Sequence, residues 1–138
     1  YAFNGNTTAY VEMEDGVNEY GLAVGLTFMY PHLRKNGLNA GMLVRFLLEK
    51  CKTVQEAIKE LKRLPIASAQ TITLADKTGK IAVVECNPEN IVVILQQEGE
   101  DFVATANNFY SEQMKKYRNP DIDDWHSDER YNKLPCLH

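Results

Sequence analysis

The sequence predicts an α+β fold in which helices cover one face of an antiparallel sheet. Apolar residues recur with period two from Thr8 to Met29, with helical spacing from Asn39 to Pro65, and with period two again from Gln70 to Ala106. The later runs are joined by short stretches of turn-forming residues, so an antiparallel meander is the economical topology. With 138 residues, 44% hydrophobic and 25% charged, one domain over residues 1–138 is expected.

The elements follow in order. Between Thr8 and Glu14, Ala9, Val11 and Met13 alternate with Tyr10, Glu12 and Glu14, which predicts a strand ending at the turn pair Asp15-Gly16. A second strand over Asn18 to Met29 completes an antiparallel hairpin, with Gly21 and Gly25 leaving room for a neighbouring backbone. A loop with Pro31, His32 and Gly37 leads to a helix over Asn39 to Cys51, where Asn39 is the N-cap and Met42, Leu43, Phe46 and Leu47 form the apolar stripe. Thr53-Val54-Gln55-Glu56 has the capping-box pattern, and Val54, Ala57, Ile58 and Leu61 carry a second helix towards Pro65. Its Lys59, Lys62 and Arg63 alternate with Glu56 and Glu60, which describes a solvated face rather than a basic patch. Four strands are then predicted: Gln70 to Ala75, Lys80 to Cys86, Ile91 to Leu95 and Phe102 to Ala106. Ser111 to Tyr117 reads as a short helix, Arg118 to Asp124 as a loop, and a last helix begins near Ser127 with Asp128 and Glu129 in its first turn.

Composition excludes several classes of function. A net charge of -4 is the wrong sign for gripping nucleic acid phosphates, so no nucleic acid partner is expected. Apolar runs stay far below the roughly 20 residues of a membrane span, which predicts a soluble chain with no membrane partner. Cys51, Cys86 and Cys136 lack CxxC spacing and read as free thiols of a reducing compartment, hence a cytoplasmic location. His32, His126 and His138 are scattered, so no metal and no cofactor are expected. Phosphate-binding glycine loops, HExxH helices and GxSxG elbows are missing. The chain opens with Tyr1 rather than Met, which suggests a piece of a longer protein.

Two polar residues stand where a rigid scaffold could present them to a cleft. Asn107 follows the run Phe102 to Ala106, where its carboxamide either donates to an oxygen that becomes negative during acyl transfer or only shapes a turn. Arg130, in Ser127-Asp128-Glu129-Arg130-Tyr131, either holds a carboxylate or steadies charge near a nucleophile, or pairs with a surface acid.

Asp15 to Phe28, containing Asn18-Glu19-Tyr20-Gly21-Leu22 and Gly25-Leu26-Thr27-Phe28, resembles the NExGLxxxGLxF stretch of the linear amide carbon-nitrogen hydrolases. Those N-terminal-nucleophile (Ntn) enzymes include choloylglycine hydrolases, penicillin V acylases and the peptidase C45 acyltransferases. Ala106-Asn107-Asn108-Phe109 resembles their Thr-Asn-His-Phe segment and Ser127 to Tyr131 their SxxRY segment, in the same order along almost the whole chain. The pattern is most similar to the C45 branch, the acyl-coenzyme A:6-aminopenicillanate acyltransferase-like enzymes.

The resemblance implies an αββα sandwich, incomplete here, and a small-molecule acyl amide as substrate. In that family a self-cleaved N-terminal cysteine attacks the amide carbonyl, and its α-amino group serves as base. Asn107 matches the oxyanion-stabilising asparagine and Arg130 the active-site arginine. Thr27 stands where bile salt hydrolases carry Asn and Asn108 where the family carries His, which makes both substrate-contacting positions. The nucleophilic cysteine and a GRNxD-like strand are expected before Tyr1, so residues 1–138 are expected to be a C-terminal fragment that is inactive alone. The rival expectation is a catalytically inert binding or assembly module on the same scaffold. Exposed sheet edges predict self-association into a homo-oligomer.

Overall fold

In a computed structural model that describes residues 1–122 and 124–133, the chain begins with strands β1 (Phe3–Asn6), β2 (Asp15–Asn18) and β3 (Ala23–Phe28). Helices α1 (Ala40–Lys50) and α2 (Val54–Leu61) follow, then β4 (Gln70–Ala75), β5 (Ile81–Cys86) and β6 (Ile91–Leu95), and finally the short helices α3 (Glu112–Lys115) and α4 (Ser127–Lys133). All six strands form one sheet in sequence order, and each pair is antiparallel. The α+β expectation holds.

One face of this sheet is closed by α1 and α2. Leu43, Leu47 and Leu48 of α1 and Ala57 and Leu61 of α2 are buried against Val24, Ile72, Leu74, Ala82 and Val84. Each buried Leu, Ile or Val among them contributes about 1.5–3 kcal/mol by leaving water, so this layer supplies most of the hydrophobic stabilisation. Both helices start where local chemistry directs. Asn39 accepts from the Met42 amide at 2.9 Å, and Thr53 accepts from the Glu56 amide at 3.2 Å. Glu56 answers through the amide of Lys52 at 2.7 Å rather than that of the cap residue.

Two expected strands are absent. Thr8 to Glu14 is an irregular loop, and the Asp15-Gly16 pair lies inside β2 instead of forming the turn. In the alternating run only Met13 is buried, whereas Tyr10 and Val11 lie open at 101% and 58% exposure. The loop is pinned to α1 by its backbone: the Met13 amide donates to Gly41 O at 3.1 Å, and Arg45 donates to Val11 O at 2.8 Å. The turn falls four residues later because Asn18 organises it. The buried Asn18 Oδ1 accepts from the Tyr20 and Leu22 amides, both at 3.1 Å, while Nδ2 donates to Leu48 O and Cys51 O at the end of α1. Gly21 supplies the left-handed residue this turn requires, at φ 83°.

Phe102 to Ala106 is the second correction. Among the described residues it does not extend the sheet beyond β6, and an isolated bridge joins Ala106 and Asn108. Thr105 instead donates its hydroxyl to Thr71 of β4 at 3.2 Å, so the segment returns towards the middle of the sheet. Smaller differences are the end of α2 at Leu61 and the start of β5 at Ile81. The short helix after Ser111 and the final helix from Ser127 stand where the sequence places them. Cys136 and His138 lie outside the described residues.

Candidate functional site

The C-terminal end of β3, the N-terminal end of β4, the turn 105–111 and the start of α4 meet at one end of the sheet. Asn107 stands at the tip of that turn. Its Nδ2 donates to Phe28 O at 2.8 Å, across 79 positions of sequence, and its Oδ1 accepts from an Arg130 Nη at 2.8 Å. These partners fix the orientation of the amide. A guanidinium only donates and a carbonyl only accepts, so a flipped carboxamide would lose both bonds. One N–H of Asn107 then has no partner among the described residues.

Arg130 is held twice more. Its Nε donates to Trp125 O at 3.0 Å, and its Nη lies 3.5 Å from Ser127 Oγ. The carbonyl of Trp125 is brought round by consecutive left-handed residues, Trp125 and His126, each at φ 56°. Two non-glycine residues in that region carry local backbone strain, which the contacts around α4 must hold in place.

Asn108 turns the other way. Its Nδ2 donates to Asp124 Oδ2 at 2.8 Å, and Asp124 Oδ1 accepts from the Ser127 amide at 3.1 Å. Asp124 therefore links the turn bearing Asn107 to the helix bearing Arg130. A stack of Tyr110 on Tyr131, with centroids 3.6 Å apart, and an ion pair of Arg118 with Asp128 at 3.0 Å cross the same junction. Thr27 pairs in register with Thr71, the acceptor for Thr105, and directly precedes Phe28. Thus Thr27, Asn107, Asn108 and Arg130 gather at one end of the sheet, and among the described residues Asn107 and Arg130 are the two of them that hydrogen-bond to each other.

Beside Phe28 and Met29 opens a cleft of about 580 Å³, lined in part by Leu26, Ala69, Gln70 and Gly41. Asn107 faces a separate recess of about 20 Å³ that shares Met29 with it. The cleft is large enough for a small organic ligand, whereas the recess has room for about one water molecule.

The two described cysteines are poor nucleophiles. Burial, with Glu60 and Glu56 nearby, pushes the Cys51 thiol up to about 12. Burial likewise pushes Cys86 up to about 12, against a hydrogen bond from Gln70 and with help from Glu85. A thiol at that value is protonated at neutral pH and cannot attack. Among the described residues no cluster of His, Cys, Asp and Glu is arranged to hold a metal ion. No described helix is long and apolar enough to cross a membrane.

Sequence reasoning missed the groups that aim the pair. The carbonyls of Phe28 and Trp125 carry no side-chain signal at all. Asp124 was legible only as loop polarity. Glu85, a carboxylate inside the apolar run Ile81–Cys86, carries a local signal by which it could have been found.

A sequence profile described as acyl-coenzyme A:6-aminopenicillanic acid acyl-transferase matches residues 1–135. Among solved structures, penicillin V acylase from Agrobacterium tumefaciens is 29% identical with a TM-score of 0.51, over 62% of this chain and 30% of its own. Two structures of conjugated bile acid hydrolase from Clostridium perfringens are each 21% identical, with TM-scores of 0.60 and 0.58, over 97% of this chain and 42% of theirs. The chain therefore spans less than half the length of these structures. No curated protein matches it.

Proposed function

The chain belongs to the acyl-coenzyme A:6-aminopenicillanic acid acyl-transferase family, with the Ntn-hydrolase fold of the choloylglycine hydrolase group, and from that premise we propose that it carries the oxyanion half of an amide hydrolase or acyltransferase site. The substrate class is a small-molecule acyl amide with a linear carbon-nitrogen bond. The observation that carries this reading is the Asn107 carboxamide, fixed between Phe28 O and Arg130 with one N–H left over.

The chemistry follows from that donor. A cysteine thiolate from outside the 138 residues attacks the amide carbon, and the carbonyl electron pair moves onto oxygen. The remaining Asn107 N–H donates to that oxyanion. Collapse of the intermediate re-forms the carbonyl and breaks the carbon-nitrogen bond, with the amine leaving after it takes a proton from the cysteine's α-ammonium group. Water or a second amine then attacks the thioester carbon, giving its proton to the cysteine's α-amino group; the carbon-sulfur bond breaks and releases the thiolate, with the acid as product in hydrolysis and a new amide in acyl transfer. Donation to a developing oxyanion is worth roughly 3–4 kcal/mol where it has been deleted, far more than to a neutral carbonyl. Arg130 keeps Asn107 from flipping, and its remaining N–H groups favour negative charge beside the reacting centre. Thr27 and Asn108 flank the donor as substrate-side positions. The cleft beside Phe28 and Leu26 receives the apolar part of the acyl group.

The test uses the full-length protein and a panel of linear acyl amides, with released amine followed by chromatography and the acyl-enzyme by intact mass. Amine release with a transient acyl adduct on a cysteine upstream of Tyr1 is expected. Absence of both across aliphatic and aryl acyl groups would reject the reading in favour of an inert module.

A further inference from the structure

Glu85 is fully buried at 0% exposure on β5, and the mechanism above does not use it. We propose that Glu85 is the positioning residue that sets the Asn107 carboxamide, acting through the turn 105–111; this rests on the oxyanion role given to Asn107.

Both oxygens of the carboxylate are directed at that turn. Oε1 accepts from the Tyr110 amide at 2.5 Å and from the Ser111 amide at 3.3 Å. Oε2 accepts from the Ser111 amide at 3.1 Å and from the Ser111 hydroxyl in a short hydrogen bond. No cation is paired with Glu85 among the described residues. A buried carboxylate served only by neutral donors is expensive to desolvate, and it is a poor choice if the sole purpose were cohesion.

Its register explains what it does instead. Glu85 lies directly across from Thr71 on β4, and Thr71 lies across from Thr27 on β3. Thr71 holds Thr105 at one end of the turn, while Glu85 holds Tyr110 and Ser111 at the other. Asn107 sits between these two anchors. Among the described residues the turn has no ladder beyond the Ala106–Asn108 bridge, so side-chain bonds fix where its tip lies: those of Asn107, Asn108 and Arg118 at the tip itself, and those of Thr71 and Glu85 at its two ends. Ser111 confirms the division of labour: it stands at the N-cap of α3 but makes no capping bond, its hydroxyl being given to Glu85. Adjacent positions on a rigid sheet define a distance to within tenths of an ångström, as an oxyanion donor needs.

A neutral amide cannot do the same, because Glu85→Gln would turn N–H groups towards the Tyr110 or Ser111 donors. In the full-length enzyme, Glu85→Gln is expected to lower kcat about tenfold with KM within about twofold, since a misplacement near 1 Å can cost roughly 10²-fold. Ser111→Ala removes one donor and keeps the amide contacts, so a smaller fall in the same direction is expected. Both effects should vanish in an Asn107→Ala background. A residue that merely stabilises the fold would reduce activity equally in both backgrounds, and that result, or an unchanged kcat, overturns the proposal. Should the wild-type enzyme turn over no amide, the function fails separately, and NMR of the 138-residue chain still decides the positioning. There the Asn107 side-chain NH2 pair is expected to be well resolved and slow to exchange, and to move to solvent-like shifts and rates in Glu85→Gln. An unmoved pair sinks the inference.

Discussion

The helix-backed sheet and the segment after β6 are held together by different physics. Between β3 and β6 the structure rests on apolar side chains of α1 and α2 pressed against alternate strand residues. From Thr105 to Lys133 the regular elements are short; Phe109 and Met114 bury a small apolar cluster with Met29 and Ala69, and around it directed bonds set the geometry: Asn107 to Phe28 O, Asn108 to Asp124, Glu85 to Ser111, Arg130 to Trp125 O. Burial is non-directional and tolerates small rearrangement; a hydrogen bond specifies an atom and an angle. The residues proposed to handle an oxyanion sit in the second region, braced on the first. Stability and activity should therefore separate by region.

The sharpest break is a truncation in the helix layer. Leu47→Ala removes a side chain with 0% exposure and is expected to destabilise the chain by about 3–5 kcal/mol, read as the shift in urea midpoint. An effect below about 1 kcal/mol would mean that this layer is not the main support. The opposite pattern is expected at Asn107, which is only half-buried. In the full-length enzyme Asn107→Ala should lower kcat by about 10²–10³-fold. Its melting temperature should move little, because the lost bonds are worth about 1 kcal/mol each and lie near solvent. Equal losses of stability and activity would merge the two regions again.

The same division decides what the sequence discloses. The α1 and α2 caps, the stretch Gln70–Ala75 and the stretch Ile91–Leu95 are legible because their determinants are local: a cap residue, a period, a turn. Thr8 to Glu14 misleads because alternation was not matched by burial, and Phe102 to Ala106 because its partner is a threonine side chain rather than a strand edge. Asn107 and Arg130 stand out locally as polar side chains beside an apolar run and in a helix start, but only their resemblance to motifs separates a site from a turn or a surface ion pair. Their contact depends on a Phe28 carbonyl 79 positions away, and no side-chain pattern encodes a carbonyl. Glu85 carries a local signal of its own, as an acid in a buried strand.

Asp124 probes the junction between the turn and α4. Asp124→Ala removes acceptors for Asn108 and for the Ser127 amide, so a loss of about 1.5–3 kcal/mol is expected from these charge-assisted bonds, discounted for partial exposure. Its diagnostic is local. Hydrogen exchange in α4 should rise while amides of α1 and α2 keep their protection. Uniform acceleration across both regions would show that the C-terminal segment unfolds with the sheet rather than apart from it.

The smallest effect has a sign that pH can test. Asp76, buried after β4, is subject to desolvation, which works against its charge. Hydrogen bonds from the Thr78 side chain and from the Val54, Thr78 and Lys80 backbone outweigh that and hold its carboxyl below the ordinary range. Its Oδ2 accepts from the Val54 amide at 3.0 Å, at the first residue of α2, and its Oδ1 from the Thr78 amide at 2.9 Å. A carboxyl whose folded pKa is depressed binds protons more readily when unfolded, so its contribution is complete above the unfolded value near 3.9 and is lost as pH falls through the folded value. Asp76→Asn should therefore be less stable than wild type by about 1 kcal/mol at pH 7, the usual scale for a helix N-terminal acceptor. The gap should narrow below pH ~4, where the wild-type carboxyl takes up its proton. Urea unfolding of both proteins at pH 7 and pH 3 measures it; a gap that stays constant, or widens in acid, would show that Asp76 supports α2 by shape alone and not by charge.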